Sequence, residues 1–129
     1  MTKISVIKIG LQILKQLKRI HQAGYVYNDL KLDNLLTNFE FDKGKFNKLL
    51  DCPGPYDPFE GVQINLIDFG FLTRFRDENT DKHISEGFVD NFRGNMMFGS
   101  HYSLQFRMTS RRDDLVSLAY LMIYLLSGG

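Results

Sequence analysis

Tyr25-Val26-Tyr27-Asn28-Asp29-Leu30-Lys31-Leu32-Asp33-Asn34-Leu35-Leu36 places polar residues inside an apolar frame without the sustained period of a helix or a strand. Such a stretch reads as a structured loop. Upstream, Ile4, Ile7, Leu11 and Leu14 fall on one helical stripe, widened by Ile9, Ile13, Leu17 and Ile20, which predicts a helix with a broad buried face over residues 4–20. Lys15, Lys18 and Arg19 suit the negative end of its dipole, and Gly24 supplies a stop.

Downstream, residues 37–61 gather Pro53, Pro55 and Pro58 with Gly44, Gly54 and Gly61, the composition of a surface insertion. Val62, Ile64 and Leu66 alternate with Gln63 and Asn65 and predict a short strand, with Asp68 standing at its end within Asp68-Phe69-Gly70. Residues 71–110 form a long polar stretch of little period, which a compact domain keeps mainly when the loop has a task. Ser110 is placed to cap a last helix, with Asp113 and Asp114 near its positive end. Between Leu115 and Leu126 only Ser117 is polar. Crossing a bilayer takes about 20 such residues, so this run predicts a helix buried on all sides rather than a membrane span.

Composition narrows the function classes. In 129 residues, 43% hydrophobic and 24% charged, the chain has globular usage and room for one domain. Sixteen Lys and Arg against fifteen Asp and Glu leave a net charge of +1, without the basic footprint of a nucleic-acid partner. Cys52 stands alone, which rules out an internal disulfide scaffold and fits a reducing intracellular compartment, cytoplasmic or nuclear. The N-terminal residues show no secretory signal.

The chemistry lies in two places. Asp29, Lys31 and Asn34 occur together in the loop, and Asp68 follows the strand. Phosphoryl transfer needs a carboxylate to accept the proton of the attacking hydroxyl, a cation at the transferring phosphate, and oxygen ligands for magnesium. Asp29, Lys31 and the pair Asn34 with Asp68 match those tasks.

On these residues the chain resembles the eukaryotic protein kinases, whose catalytic loop reads His-Arg-Asp with an Asn five residues after the Asp, followed later by Asp-Phe-Gly. Lysine two residues after the Asp resembles the serine/threonine class. Ser110-Arg111-Arg112-Asp113-Asp114-Leu115-Val116-Ser117-Leu118, together with the lack of Ala-Pro-Glu, is similar to the casein kinase I family. The resemblance covers residues 4–36 and 62–128.

It implies a mainly α (α+β) fold: part of a kinase C-lobe running from the E helix to a buried F helix, with a catalytic loop and short strands. Residues 1–129 are then a partial catalytic domain, interrupted by the 37–61 insertion. It further implies that ATP and Mg2+ are bound and that Ser or Thr hydroxyls of a protein are phosphorylated. Asp29 would be the base and Lys31 the phosphate contact. Asn34 and Asp68 would hold magnesium, Leu36 would lie under adenine, and Asp114 would brace the loop from the F helix. Tyr27 and Phe69 match positions of the family's stacked apolar spine. Neither a nucleic acid nor a membrane is an expected partner.

The sequence also departs from the family. Asn28 replaces the loop arginine, Asn95 stands for a threonine that ties the activation segment to Asp29 and Lys31, and Met97 stands for an arginine that attracts acidic or phosphorylated substrates. Neither a Gly-rich loop nor a Val-Ala-Ile-Lys strand precedes Asp29, so the N-lobe is absent from these residues, and weak or no catalysis is expected from the 129 residues alone. Alternative readings are a noncatalytic, pseudokinase-like interaction module and an incomplete gene model. Asp33 reads as a solvated carboxylate, Arg111 and Arg112 as structural or surface cations, and His21, His83 and His101 as ordinary polar residues.

Overall fold

The computed structural model describes residues 2–38 and 61–128. It is a mixed α/β unit of three helices and short strands: α1 (Lys3–Gln22), β1 (Tyr25–Val26), β2 (Leu35–Thr37), β3 (Ile64–Leu66), β4 (Thr73–Arg74), α2 (His101–Leu104) and α3 (Arg111–Ser127). A single 3-10 turn, Leu32–Asn34, precedes β2. Most of the 37–61 insertion, residues 39–60, lies outside the described residues. None of the described helices is long and apolar enough to cross a membrane.

α1 begins where Thr2 accepts the Ser5 amide at 3.1 Å, and it ends against Gly24, whose φ of +89° costs a residue without Cβ little. It buries Val6, Ile9, Ile13 and Leu17. The expected stripe is therefore half right: Ile4, Ile7, Leu11 and Leu14 point outward. Apolar residues cover two adjoining faces of α1, and periodicity alone does not say which of them meets the core. Gly10 sits on the inward side, where a Cβ would stand 2.7 Å from Met122 Sδ, so its bareness lets α1 and α3 approach.

α3 starts at Ser110, whose N–H donates to Asp113 Oδ2 at 2.7 Å, while Ser100 Oγ donates to Asp113 Oδ1 at 2.5 Å. Asp114, Ser117, Leu118 and Leu121 are buried. The helix is not buried on all sides: Leu115, Tyr120, Ile123 and Leu126 are exposed, because α1 and the 27–34 loop pack against one face only.

The strands pair antiparallel in two ribbons. Tyr25 faces Arg74 and Val26 faces Thr73 in one; Leu35 faces Leu66 and Thr37 faces Ile64 in the other. β3 begins at Ile64, two residues after the expected start, yet Val62 is buried and keeps the alternation. The free edge of β3 is met by side chains of α1. Gln12 donates to the Val62 carbonyl and accepts from the Ile64 amide, and Gln16 donates to the Ile64 carbonyl and accepts from the Leu66 amide, all at 2.6–3.0 Å. Buried backbone groups that lack a strand partner are thus satisfied by amides spaced one helical turn apart.

The 71–110 stretch, expected to be irregular, contains β4 and α2, and the rest of it is pinned at intervals. Arg76 bridges to His83 and Phe88 to Arg107. Arg111 lies over the Phe75 ring at 4.8 Å and Arg112 over Tyr102 at 3.9 Å, which gives these two cations a packing role.

Candidate active site

The 27–34 loop leaves β1 and meets the buried carboxylate of Asp114. The Tyr27 and Asn28 amides each donate to it at 2.8 Å, and His21 Nε2 lies 2.7 Å from the same group. One side chain of α3 thus fixes two successive peptides of the loop and ties in the end of α1. The Tyr27 ring is fully buried, its hydroxyl donates to the Ile67 carbonyl at 2.5 Å, and its edge meets Phe69 with ring centroids 5.8 Å apart. Burial pushes the Tyr27 pKa well above the ordinary tyrosine range, so the hydroxyl stays a donor.

The backbone held this way buries the Asp29 carboxylate. Asn34 Nδ2 donates to Asp29 Oδ2 at 2.7 Å and to the Asp29 carbonyl at 2.9 Å. Lys31 Nζ lies 2.8 Å from the same Oδ2, and the Lys31 side chain is 27% exposed. The hydrogen bond to Asp29 raises the Lys31 pKa above its ordinary value against the desolvation that lowers it, and the charges of Asp29, Asp68 and Asp33 add to the rise. Asp29 Oδ1 is buried without a hydrogen-bond partner. A buried carboxylate oxygen left bare costs free energy and calls for an explanation, and an incoming donor is the simplest one.

Asp68 follows β3 with φ +57° and accepts the Gly70 amide on Oδ1 at 3.1 Å. Asn34 turns its amide nitrogen to Asp29, which leaves Oδ1 as its acceptor. Asn34 Oδ1 and the Asp68 carboxylate are hard oxygen donors of the kind magnesium takes, so the residues present fit that ion. Among the described residues no cluster of three or more His, Cys, Asp or Glu could hold a metal, so any ion here needs further oxygens from a phosphate or water. Leu36, in β2, is 56% exposed and forms an open apolar surface beside Asn34.

No protein-family model matches the chain. Comparison with curated proteins does find relatives. A casein kinase 1-like protein of Oryza sativa subsp. japonica is 31% identical over 121 residues, covering 93% of this chain and 15% of the relative. The casein kinase I homolog 1 of Saccharomyces cerevisiae is 28% identical over 124 residues, covering 96% of this chain and 20% of the relative. The chain is similar to casein kinase I proteins.

The chain spans 15% and 20% of the length of those two relatives. Asp29, Lys31 and Asn34 come into direct contact within it, and Asp68 comes near enough for its charge to act on Lys31 and Tyr27. Asp33 is exposed. Asn95 Oδ1 accepts the Met97 amide at 2.6 Å and so closes a local turn.

The sequence reading missed His21, whose partner lies far along the chain with no spacing to signal it. It also missed what the Asn28 side chain does. Nδ2 donates to the Phe71 carbonyl at 2.7 Å and to Thr73 Oγ1 at 2.8 Å, and Oδ1 accepts from Thr109 Oγ1 at 2.6 Å.

Proposed function

We propose that the chain carries the phosphoryl-transfer loop and magnesium-side residues of a casein kinase I-type serine/threonine protein kinase, in a partial kinase C-lobe whose α1 and α3 correspond to the E and F helices. The observation that supports this best is the Asp29 carboxylate: Oδ2 is clamped by Lys31 and Asn34, while Oδ1 is buried and bare. A base for hydroxyl attack needs this division, one oxygen fixed for aim and the other without a protein donor and so able to take a proton.

In this reading a Ser or Thr hydroxyl of a protein substrate donates its hydrogen bond to Asp29 Oδ1. As its oxygen bonds to the γ-phosphorus of ATP, the bond from that phosphorus to the β,γ-bridging oxygen breaks. ADP leaves, and the hydroxyl proton passes to Asp29. Lys31, held protonated by Asp29, faces the transferring phosphate as a cation. Asn34 and Asp68 would hold Mg2+, which neutralises charge developing on the phosphates when bound. Leu36 offers adenine an apolar floor with no cover among the described residues. A second lobe is needed to enclose the nucleotide. Activity is therefore assigned to the natural polypeptide that contains these residues.

The test is transfer of labelled γ-phosphate from Mg-ATP to a Ser/Thr protein substrate by that polypeptide, beside its Asp29→Asn variant. The variant should lose at least about a hundredfold in kcat with an unchanged circular dichroism spectrum. Equal rates would remove Asp29 as the base. A wild type that neither binds Mg-ATP nor transfers phosphate would favour the noncatalytic module, a reading to which the exposed apolar residues of α1 and α3 lend some support.

A further inference from the structure

Asn28 precedes the proposed base and takes no part in the chemistry, yet its side chain uses every bond an amide offers. Its φ of +69° is a conformation that asparagine tolerates better than most residues. Nδ2 gives its two hydrogens to Phe71 O and Thr73 Oγ1, three and five residues past Asp68; Oδ1 takes the hydroxyl of Thr109, just ahead of α3. Two of those partners, Thr73 and Thr109, line a cavity of about 340 Å3 that Leu72, Arg74, Arg107 and Met108 also border. Asn28 is itself anchored, because its own amide donates to Asp114 at 2.8 Å.

We propose that Asn28 is a positioning residue, a neutral three-way tie that fixes the segment after Asp68 and the approach to α3 against the 27–34 loop and so sets Asp68 relative to Asp29. An arginine at this place, as in the family the chain resembles, brings a charge that seeks an anion. The amide is complete with a carbonyl and two hydroxyls, so the segment needs no phosphate to be held. Being uncharged, the tie is indifferent to salt and to pH across the neutral range. The proposal deepens the reading of Asp29, Asn34 and Asp68 as the transfer site and rests on it for its catalytic consequence.

The experiment compares the natural polypeptide with its Asn28→Asp, Thr73→Val and Thr109→Val variants. Asn28→Asp keeps the shape and the tolerance for positive φ but loses both donated hydrogens; Thr73→Val removes one partner without adding charge. Amide hydrogen exchange should rise about tenfold over residues 71–75 in both, and over 106–110 in Thr109→Val, with α1 unchanged. kcat should fall and the Mg2+ concentration for half-maximal rate should rise by at least about threefold, with KM for the protein substrate constant, since the displaced group is a magnesium ligand. A purely structural role would leave the magnesium requirement where it was. Unchanged exchange in Asn28→Asp and Thr73→Val overturns the tie. Should Asn28→Asp fail to fold, the two threonine variants decide. If the wild type transfers no phosphate, the transfer reading falls while the exchange comparison still judges the tie.

Discussion

A methyl group on Gly94 would stand 2.3 Å from the Asn28 carbonyl oxygen. The segment ahead of α2 crosses the 27–34 loop so closely that only a hydrogen fits, and Gly94 does so at φ +112°, a conformation that resists any side chain. Gly94→Ala is expected to destabilise the protein by about 2–3 kcal/mol, since backbone cannot yield as a flexible side chain would. Urea unfolding measures the loss, and a midpoint unchanged from wild type would mean the crossing is looser than this.

Asp114 is the sole partner found for the Tyr27 and Asn28 amides among the described residues. In Asp114→Asn one amide N–H would face an NH2 group, a donor against a donor, and the charge that strengthens both bonds would be gone. A loss of about 3 kcal/mol is expected from urea denaturation, against about 1 kcal/mol for His21→Ala, which removes a neighbour at the rim of the same group.

The Lys31–Asp29 pair has a pH signature on the alkaline side. Its folded pKa lies above the ordinary lysine value of 10.5, so its contribution is full below that value and is lost as pH rises through the folded one. The stability difference between wild type and Lys31→Met should stay flat from about pH 7 to 9 and close only above the ordinary lysine range. A difference that closes near neutrality would assign the effect to another group.

Asp77 has the opposite sign. Its carboxylate accepts the Thr80 amide at 2.8 Å, the Thr80 hydroxyl at 2.9 Å and the Asn79 amide at 3.0 Å, and these bonds hold its pKa below the ordinary 3.8. The turn is thus supported above that value and released as pH falls through the folded one. Amide exchange at Asn79 and Thr80, followed through acid titration, should show the release, and Asp77→Asn should flatten the profile.

The contacts of Asp29, Lys31 and Asn34 were legible because a loop of eight residues brings them together by itself, and their types name a chemistry. α1 and α3 were legible from period and caps, whereas the four-residue α2 lies inside the stretch read as loop and was not. The outward-facing Ile4, Ile7, Leu11 and Leu14 were not, because α1 is apolar on two faces and the choice belongs to α3. Nor were β1, β2 and β4. Pairs and triplets of residues carry no period, and Tyr25 becomes a strand only by meeting Arg74. The tie made by Asn28 and the bare Oδ1 of Asp29 depend on atoms placed by segments far apart in the chain.

The two glutamines on α1 bear on how such a molecule keeps to itself. A strand edge offers its unspent N–H and C=O groups to any passing chain, and short ribbons lack the neighbouring strands that would occupy them. Gln12 and Gln16 fill those groups on β3 from within. A second copy finds no template on that edge of β3, where strand addition is blocked by two side chains that are neither charged nor part of any strand.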